Sequence, residues 1–266
     1  MKEFIQKNIV DTNIWVAFCF TAFLLFFQLN LYEVNLYVLG IAFFGTLGIY
    51  NFTRVKEISD FWNFPTQNRT RILLTYLGII CTLACVVLRG FEMKTFLYLG
   101  VLGFVSFCYS LPFRSLGLRT IPFLKLFLIA FVWAGSSVGL LLVVHHELEN
   151  YQLLMVSVFF FVVGITIPFD IRDNLIDEKE LKTIPQIIGM KKSKFLAVCC
   201  LLLSGIFFYL EFNELNAPVI QWQLSLIIPL ILVLETNNKK SNFYFSFWVE
   251  ACSLIPLLVY ILFTYS

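Results

Sequence analysis

Tyr151-Gln-Leu-Leu-Met-Val-Ser-Val-Phe-Phe-Phe-Val-Val-Gly-Ile-Thr-Ile-Pro-Phe-Asp170-Ile-Arg-Asp173-Asn-Leu-Ile-Asp177 decides how the rest of the chain is read. Nothing charged occurs between Tyr151 and Phe169. A helix needs about 20 mostly apolar residues to cross the hydrocarbon of a bilayer, and each backbone group left unpaired there costs several kcal/mol. Residues 151–170 therefore read as a membrane-spanning helix. Directly beyond it come acids at i, i+3 and i+7, a spacing that on a continued helix lines Asp170, Asp173 and Asp177 along one face. Carboxylates are unfavourable at the negative end of a helix dipole, and like charges so close repel, so this face wants a cation. Hard oxygen donors with few others nearby suit Mg²⁺ better than zinc. The plainer reading of the same acids is a solvated helix end. Glu178 and Glu180 read as ordinary loop charges.

The rest of the chain has the same character. Of its 266 residues 59% are apolar and 14% charged, against about 25% charged in soluble domains, and its mean hydropathy is +0.84. Too little polar surface remains to cover a water-facing globule. Nine apolar stretches approach spanning length, over about residues 9–29, 34–50, 71–88, 93–110, 119–144, 151–170, 193–212, 217–235 and 242–264. The expected fold is all-α and polytopic, one transmembrane domain over residues 1–266. The first stretch lacks a small-residue cleavage site after Gln28 and reads as a retained helix rather than a secretory signal. With the N-terminus cytoplasmic, seventeen of the nineteen Lys and Arg fall on the cytoplasmic side, Arg89 and Lys94 alone excepted. That is the asymmetry expected of an inner-membrane protein, and one span more or fewer would destroy it. A net charge of +2 without a basic run gives no footprint for nucleic acid. The seven Cys lie in apolar runs without metal-ligand spacing and read as packing residues. His145 and His146, in a short external loop, read as surface.

Two cytoplasmic loops are longer than the rest, after about residue 50 and after about residue 170. Four spans separate them, so both face one leaflet and can meet over one site. The second ends in Thr183-Ile-Pro185-Gln-Ile-Ile-Gly189. With Asp-x-x-Asp-x-x-x-Asp before it, this resembles the second aspartate motif of the UbiA superfamily of intramembrane prenyltransferases. Tyr109-Ser-Leu-Pro112-Phe-Arg114 resembles that family's Tyr/Pro/basic loop, and the span count agrees over nearly the whole chain. The resemblance implies a ring of helices around a lipid-accessible central cavity. It further implies Mg²⁺ held between two acidic motifs, a prenyl diphosphate as donor and a lipophilic acceptor alkylated by the resulting allylic cation.

The first motif departs from the family's Asn-Asp-x-x-Asp. Here the chain reads Asn51-Phe52-Thr53-Arg54-Val55-Lys56-Glu57-Ile58-Ser59-Asp60: Asn51 matches, and both core acids are replaced by Phe52 and Val55. Glu57 and Asp60 can substitute only if the helix breaks or shifts register. Arg54 and Lys56 offer another compensation, since cations beside a diphosphate neutralise charge that a metal would cover. Ionisable groups at membrane depth are functional candidates by default. Lys125 can reach an interfacial diphosphate or snorkel to water, Glu250 can pair with the basic cluster, orient the acceptor or form a merely structural buried salt bridge, and Asp11 reads as an N-terminal cap or helix-dipole partner. The expected site joins Asp170, Asp173, Asp177 and Asn51 around Mg²⁺, with Arg54, Lys56, Tyr109, Arg114 and Lys125 on the diphosphate. A non-catalytic relative that binds an isoprenoid lipid or partners another membrane enzyme is the alternative. A transporter fits less well, because the polar groups gather at one face rather than the midplane.

Overall fold

The computed structural model describes residues 2–55, 57, 59–110, 124–174 and 183–265, and all regular structure among them is helical. In chain order the main helices are α1 Ile14–Leu31, α2 Leu36–Phe52, α3 Arg69–Arg89, α4 Met93–Ser110, α5 Leu124–Val144, α6 Gln152–Asp173, α7 Ile184–Phe212, α8 Ala217–Glu235 and α9 Tyr244–Tyr265. Among the described residues seven of these are long and apolar enough to cross a membrane, and α2 and α4 are shorter apolar helices. The chain is an all-α, multi-pass membrane protein. Its contacts divide it into two compact units, Met1–Leu118 and Arg119–Ser266.

In the first unit, α2 and α3 approach closely because glycines face each other. A Cβ on Gly78 would lie 2.5 Å from Gly48 Cα and 2.7 Å from the Phe44 carbonyl. Small residues that let backbones approach are the usual means of helix packing where no hydrophobic force acts between helices. Asn35 caps α2, its side chain accepting from the amides of Tyr37 and Val38, and Gly90 at φ +66 ends α3 in the left-handed conformation glycine takes without strain. The start of α1 differs from expectation. Residues 6–10 form a π turn, and Asp11-Thr12-Asn13 turns the chain, with Asn13 at φ +60. Asp, Thr and Asn make such turns through their short polar side chains. Asp11 does not cap α1; it accepts from Gln6 Nε2 at 2.6 Å.

In the second unit, α6 and α7 pack along much of their length. A Cβ on Gly164 would meet Leu201 Cγ at 2.8 Å and the Ala197 carbonyl at 3.1 Å. Toward the start of α6, the buried Ser157 hydroxyl donates to the Ser204 carbonyl at 2.8 Å, and Trp222 Nε1 of α8 donates to Ser204 Oγ at 3.3 Å. Within a bilayer these polar groups pair with protein because lipid offers them no partner. Pro168, inside α6, lacks the N–H that the Gly164 carbonyl would otherwise take. Two helices depart from α geometry: α5 mid-course through a π segment at Gly135–Gly139, and α9 from its start through a π segment at Tyr244–Val249 followed by a 3-10 segment at Glu250–Leu254. α7 begins well before its apolar run at about 193. Thr183 N donates to Gln186 Oε1 at 3.0 Å and Pro185 occupies the first turn, two signals that start a helix. Gly189, at φ +78 and ψ +161, then bends it.

Candidate functional site

The acidic end of α6 is the chemical centre of the second unit. Asp170 retains 4% of its exposure although it is an acid. Lys125, near the start of α5, places Nζ 3.1 Å from Asp170 Oδ1. One turn on, Arg172 grips Asp173 with two hydrogen bonds, Nε to Oδ1 at 2.6 Å and Nη2 to Oδ2 at 2.9 Å. The Arg172 guanidinium also lies over the Phe169 ring at 5.4 Å and the Phe245 ring of α9 at 5.7 Å. A planar cation that meets a carboxylate at its edge and aromatic rings at its face is a geometry lysine cannot reproduce. Each carboxylate is thus matched by a cation of the same unit. Burial of an unmatched carboxylate would cost several kcal/mol, which accounts for Lys125 standing beside Asp170 rather than snorkelling to water alone.

Arg172 is the residue that reasoning from the acid spacing overlooks. Its signal is present, an Arg between Asp170 and Asp173, three residues after Phe169. Asp177 lies outside the described residues, as do Lys56 and Arg114. Among the described residues no group of three or more His, Cys, Asp and Glu side chains stands together as a metal site.

Asn51 and the segment after it belong to the first unit. The Asn51 side chain is fully buried, and each of its groups is engaged. Its Oδ1 accepts from Asn13 Nδ2 at 3.1 Å, while its Nδ2 donates to the carbonyls of Thr12 and Leu47, both at 2.9 Å. This knot ties the turn before α1 to the end of α2. Where the resemblance expects acids, the chain packs apolar groups. Val55, 6% exposed, clusters with Phe61 and Ile72, and Phe52 and Tyr76 pack against them. Phe52 also stacks on Phe107 of α4 at 5.4 Å. The remaining polar groups serve the loop: Asp60 Oδ2 accepts from Asn68 Nδ2 at 2.7 Å, Ser59 donates to Glu57, and the Arg54 carbonyl accepts from Arg71. Tyr109 is half-buried near the end of α4.

At the opposite end of α5 and α6, His145 and His146 form the turn that follows α5. A hollow of about 390 Å³ lies there, lined by Glu149 to Leu153 and Glu211. Glu211 accepts from the Leu154 amide at 3.1 Å, so this carboxylate satisfies the first turn of α6. Glu250 sits half-buried where the π segment of α9 gives way to the 3-10 segment, its carbonyl accepting from Ser253 Oγ at 2.8 Å. No family model, curated protein or solved structure matches the chain.

Proposed function

We propose that the chain is a UbiA-like prenyltransferase of the inner membrane that moves an isoprenoid chain from a prenyl diphosphate to an aromatic or other lipophilic acceptor. In this reading nine spans surround a lipid-accessible cavity, the N-terminus is cytoplasmic, and the loops after α2 and α6 face the cytoplasm. The observation that carries it is the pair of ion pairs at the end of α6, Lys125 with Asp170 and Arg172 with Asp173. A diphosphate and its counter-ion bring both signs of charge at once. Carboxylates and cations already matched to each other can exchange partners with such a ligand without stranding a buried charge. Asp170 and Asp173, with Asp177, are the hard oxygen donors that Mg²⁺ takes, and the ion when bound would neutralise the diphosphate leaving group. Lys125 and Arg172, joined by Arg54, Lys56 and Arg114, would hold the phosphate oxygens. Asn51 keeps one carbonyl lone pair beyond its bond from Asn13.

The test is pyrophosphate release by the purified chain from farnesyl or geranylgeranyl diphosphate with a panel of acceptors. Release that requires Mg²⁺ and disappears in Asp173→Asn is the expected outcome; release equal in the variant removes the proposal.

A second reading rests on a separate observation, the apolar cluster that Phe52 and Val55 form where the resemblance expects acids. It makes the chain a binder of isoprenoid diphosphates or lipids, or a partner of another membrane enzyme, without turnover. A non-hydrolysable prenyl diphosphate analogue would then bind while no pyrophosphate appears, and wild-type turnover eliminates this reading.

A further inference from the structure

We infer that the elbow at the start of α7 is a docking surface for anionic phospholipid headgroups. Gly189 takes a backbone conformation open essentially to glycine alone, at φ +78 and ψ +161, and it divides a short arm, Ile184–Ile188, from the long apolar helix that follows. On the arm Ile187 and Ile188 are 49% and 37% exposed, and Phe195 and Leu202, further along the same helix, are also exposed. Exposed apolar side chains thus stand on both sides of the bend. Just past the bend stand Lys191 and Lys192, both exposed. Among the described residues neither joins an ion pair. From Thr183 to Leu210 the chain carries Lys191, Lys192 and Lys194 and no acid. Lys194 Nζ donates to the Leu234 carbonyl at 2.9 Å, which brings the end of α8, with Lys239 after it, alongside. Lys240 is engaged with Glu235 and the Tyr244 ring and is not counted.

Exposed isoleucines across a bend from a span, bordered by lysines that join no ion pair among the described residues, match the boundary between acyl chains and headgroups. The sign of the charge selects the headgroup. A polybasic site at the membrane surface gains about fivefold in affinity per lysine from an anionic lipid, whereas a zwitterionic headgroup offers no net attraction. The bend lets one helix do both tasks: the long part spans, and the arm turns aside to lie at the interface.

The full chain, released from nanodiscs holding equal phosphatidylglycerol and phosphatidylcholine, would be weighed by native mass spectrometry. Wild type is expected to retain phosphatidylglycerol in preference. The double variant Lys191→Gln/Lys192→Gln should lower that preference by roughly 30-fold, while Lys2→Gln/Lys7→Gln, which removes the same charge elsewhere, should leave it in place. Hydrogen exchange of the wild-type amides at 187–192 should be slower in nanodiscs containing phosphatidylglycerol than in pure phosphatidylcholine. Absence of a wild-type preference, its persistence in the Lys191/Lys192 variant, equal loss in the Lys2/Lys7 variant, or identical exchange in both bilayers overturns the inference.

Discussion

Replacing Gly78 by Ala is expected to destabilise the first unit, whereas the same change at Gly48, across the same contact, is expected to be nearly neutral. The difference comes from which atoms each new methyl would meet. On Gly78 it would lie 2.5 Å from Gly48 Cα, 2.6 Å from Gly48 N and 2.7 Å from the Phe44 carbonyl, all backbone. Carbon atoms in contact rest about 3.5–4.0 Å apart, so α2 and α3 must separate by about 1 Å. Overpacking costs about 1–3 kcal/mol, and three backbone contacts below 2.8 Å put this one in the upper part, about 2–3 kcal/mol. Alanine returns up to about 1 kcal/mol as the better helix former, leaving a net loss of about 1–2 kcal/mol. On Gly48 the methyl would stop 3.4 Å from the Gly78 backbone, a normal contact, and the propensity gain remains. Thermal unfolding in detergent, followed by tryptophan fluorescence, should show Gly78→Ala melting some 2–8 °C below wild type at roughly 2–4 °C per kcal/mol. Gly48→Ala should melt within about 1 °C of it or above. An unchanged Gly78→Ala, or a Gly48→Ala that falls as far, refutes the close-approach geometry.

Other changes follow from the same physical rules. Lys125→Met leaves the Asp170 carboxylate buried without its 3.1 Å partner and should cost about 2–4 kcal/mol; the double change Lys125→Met/Asp170→Asn should recover much of that loss in melting temperature, and additive losses would deny the pairing. Val55→Asp, which reinstates an acid of the expected first motif, places a charge in the Val55, Phe61 and Ile72 cluster. A fall of about 2 kcal/mol or more in unfolding free energy is expected, and a variant as stable as wild type would count against that cluster. Gly189→Ala forces a Cβ into a positive-φ conformation and should destabilise by about 1–3 kcal/mol, measured by the same melts; no change would mean the bend relaxes freely. Asn51→Ala removes three hydrogen bonds and strands Asn13 Nδ2. It should raise exchange of the amides around residues 10–14 by tenfold or more, and unaltered exchange there would show that the knot does not hold the turn.

Spans are legible in a sequence because lipid leaves little choice: a long uncharged run such as 151–169 has to be a helix. Polar neighbours are harder, because spacing along the chain does not reveal partners. The i, i+3 relation of Asp170 and Asp173 is plain from the sequence, but each acid is answered by a cation with a different origin, Lys125 from the far end of the preceding helix and Arg172 from the adjacent position. Asn51 was recognisable as a motif residue, yet its bond from Asn13 depends on Asp11-Thr12-Asn13 forming a turn. Counting residues 9–29 as one span passes over that turn. Phe52 and Val55 are by their chemistry no metal ligands; that they join Phe61, Ile72 and Tyr76 in a cluster depends on how the loop folds back.

The π segment at Gly135–Gly139 gives α5 one residue more than regular winding would need between its two ends. Deleting one residue from Gly-Ser-Ser-Val-Gly would let the coil close to ordinary pitch with both halves keeping their present headings. Winding the same residues as regular α-helix would instead turn one half against the other by about 100°, and either Lys125 would swing off Asp170 or the His145 turn would rotate away. Length variation is normally absorbed in loops, but here the widened turn takes up the extra residue inside a helix and keeps Lys125 facing the acid.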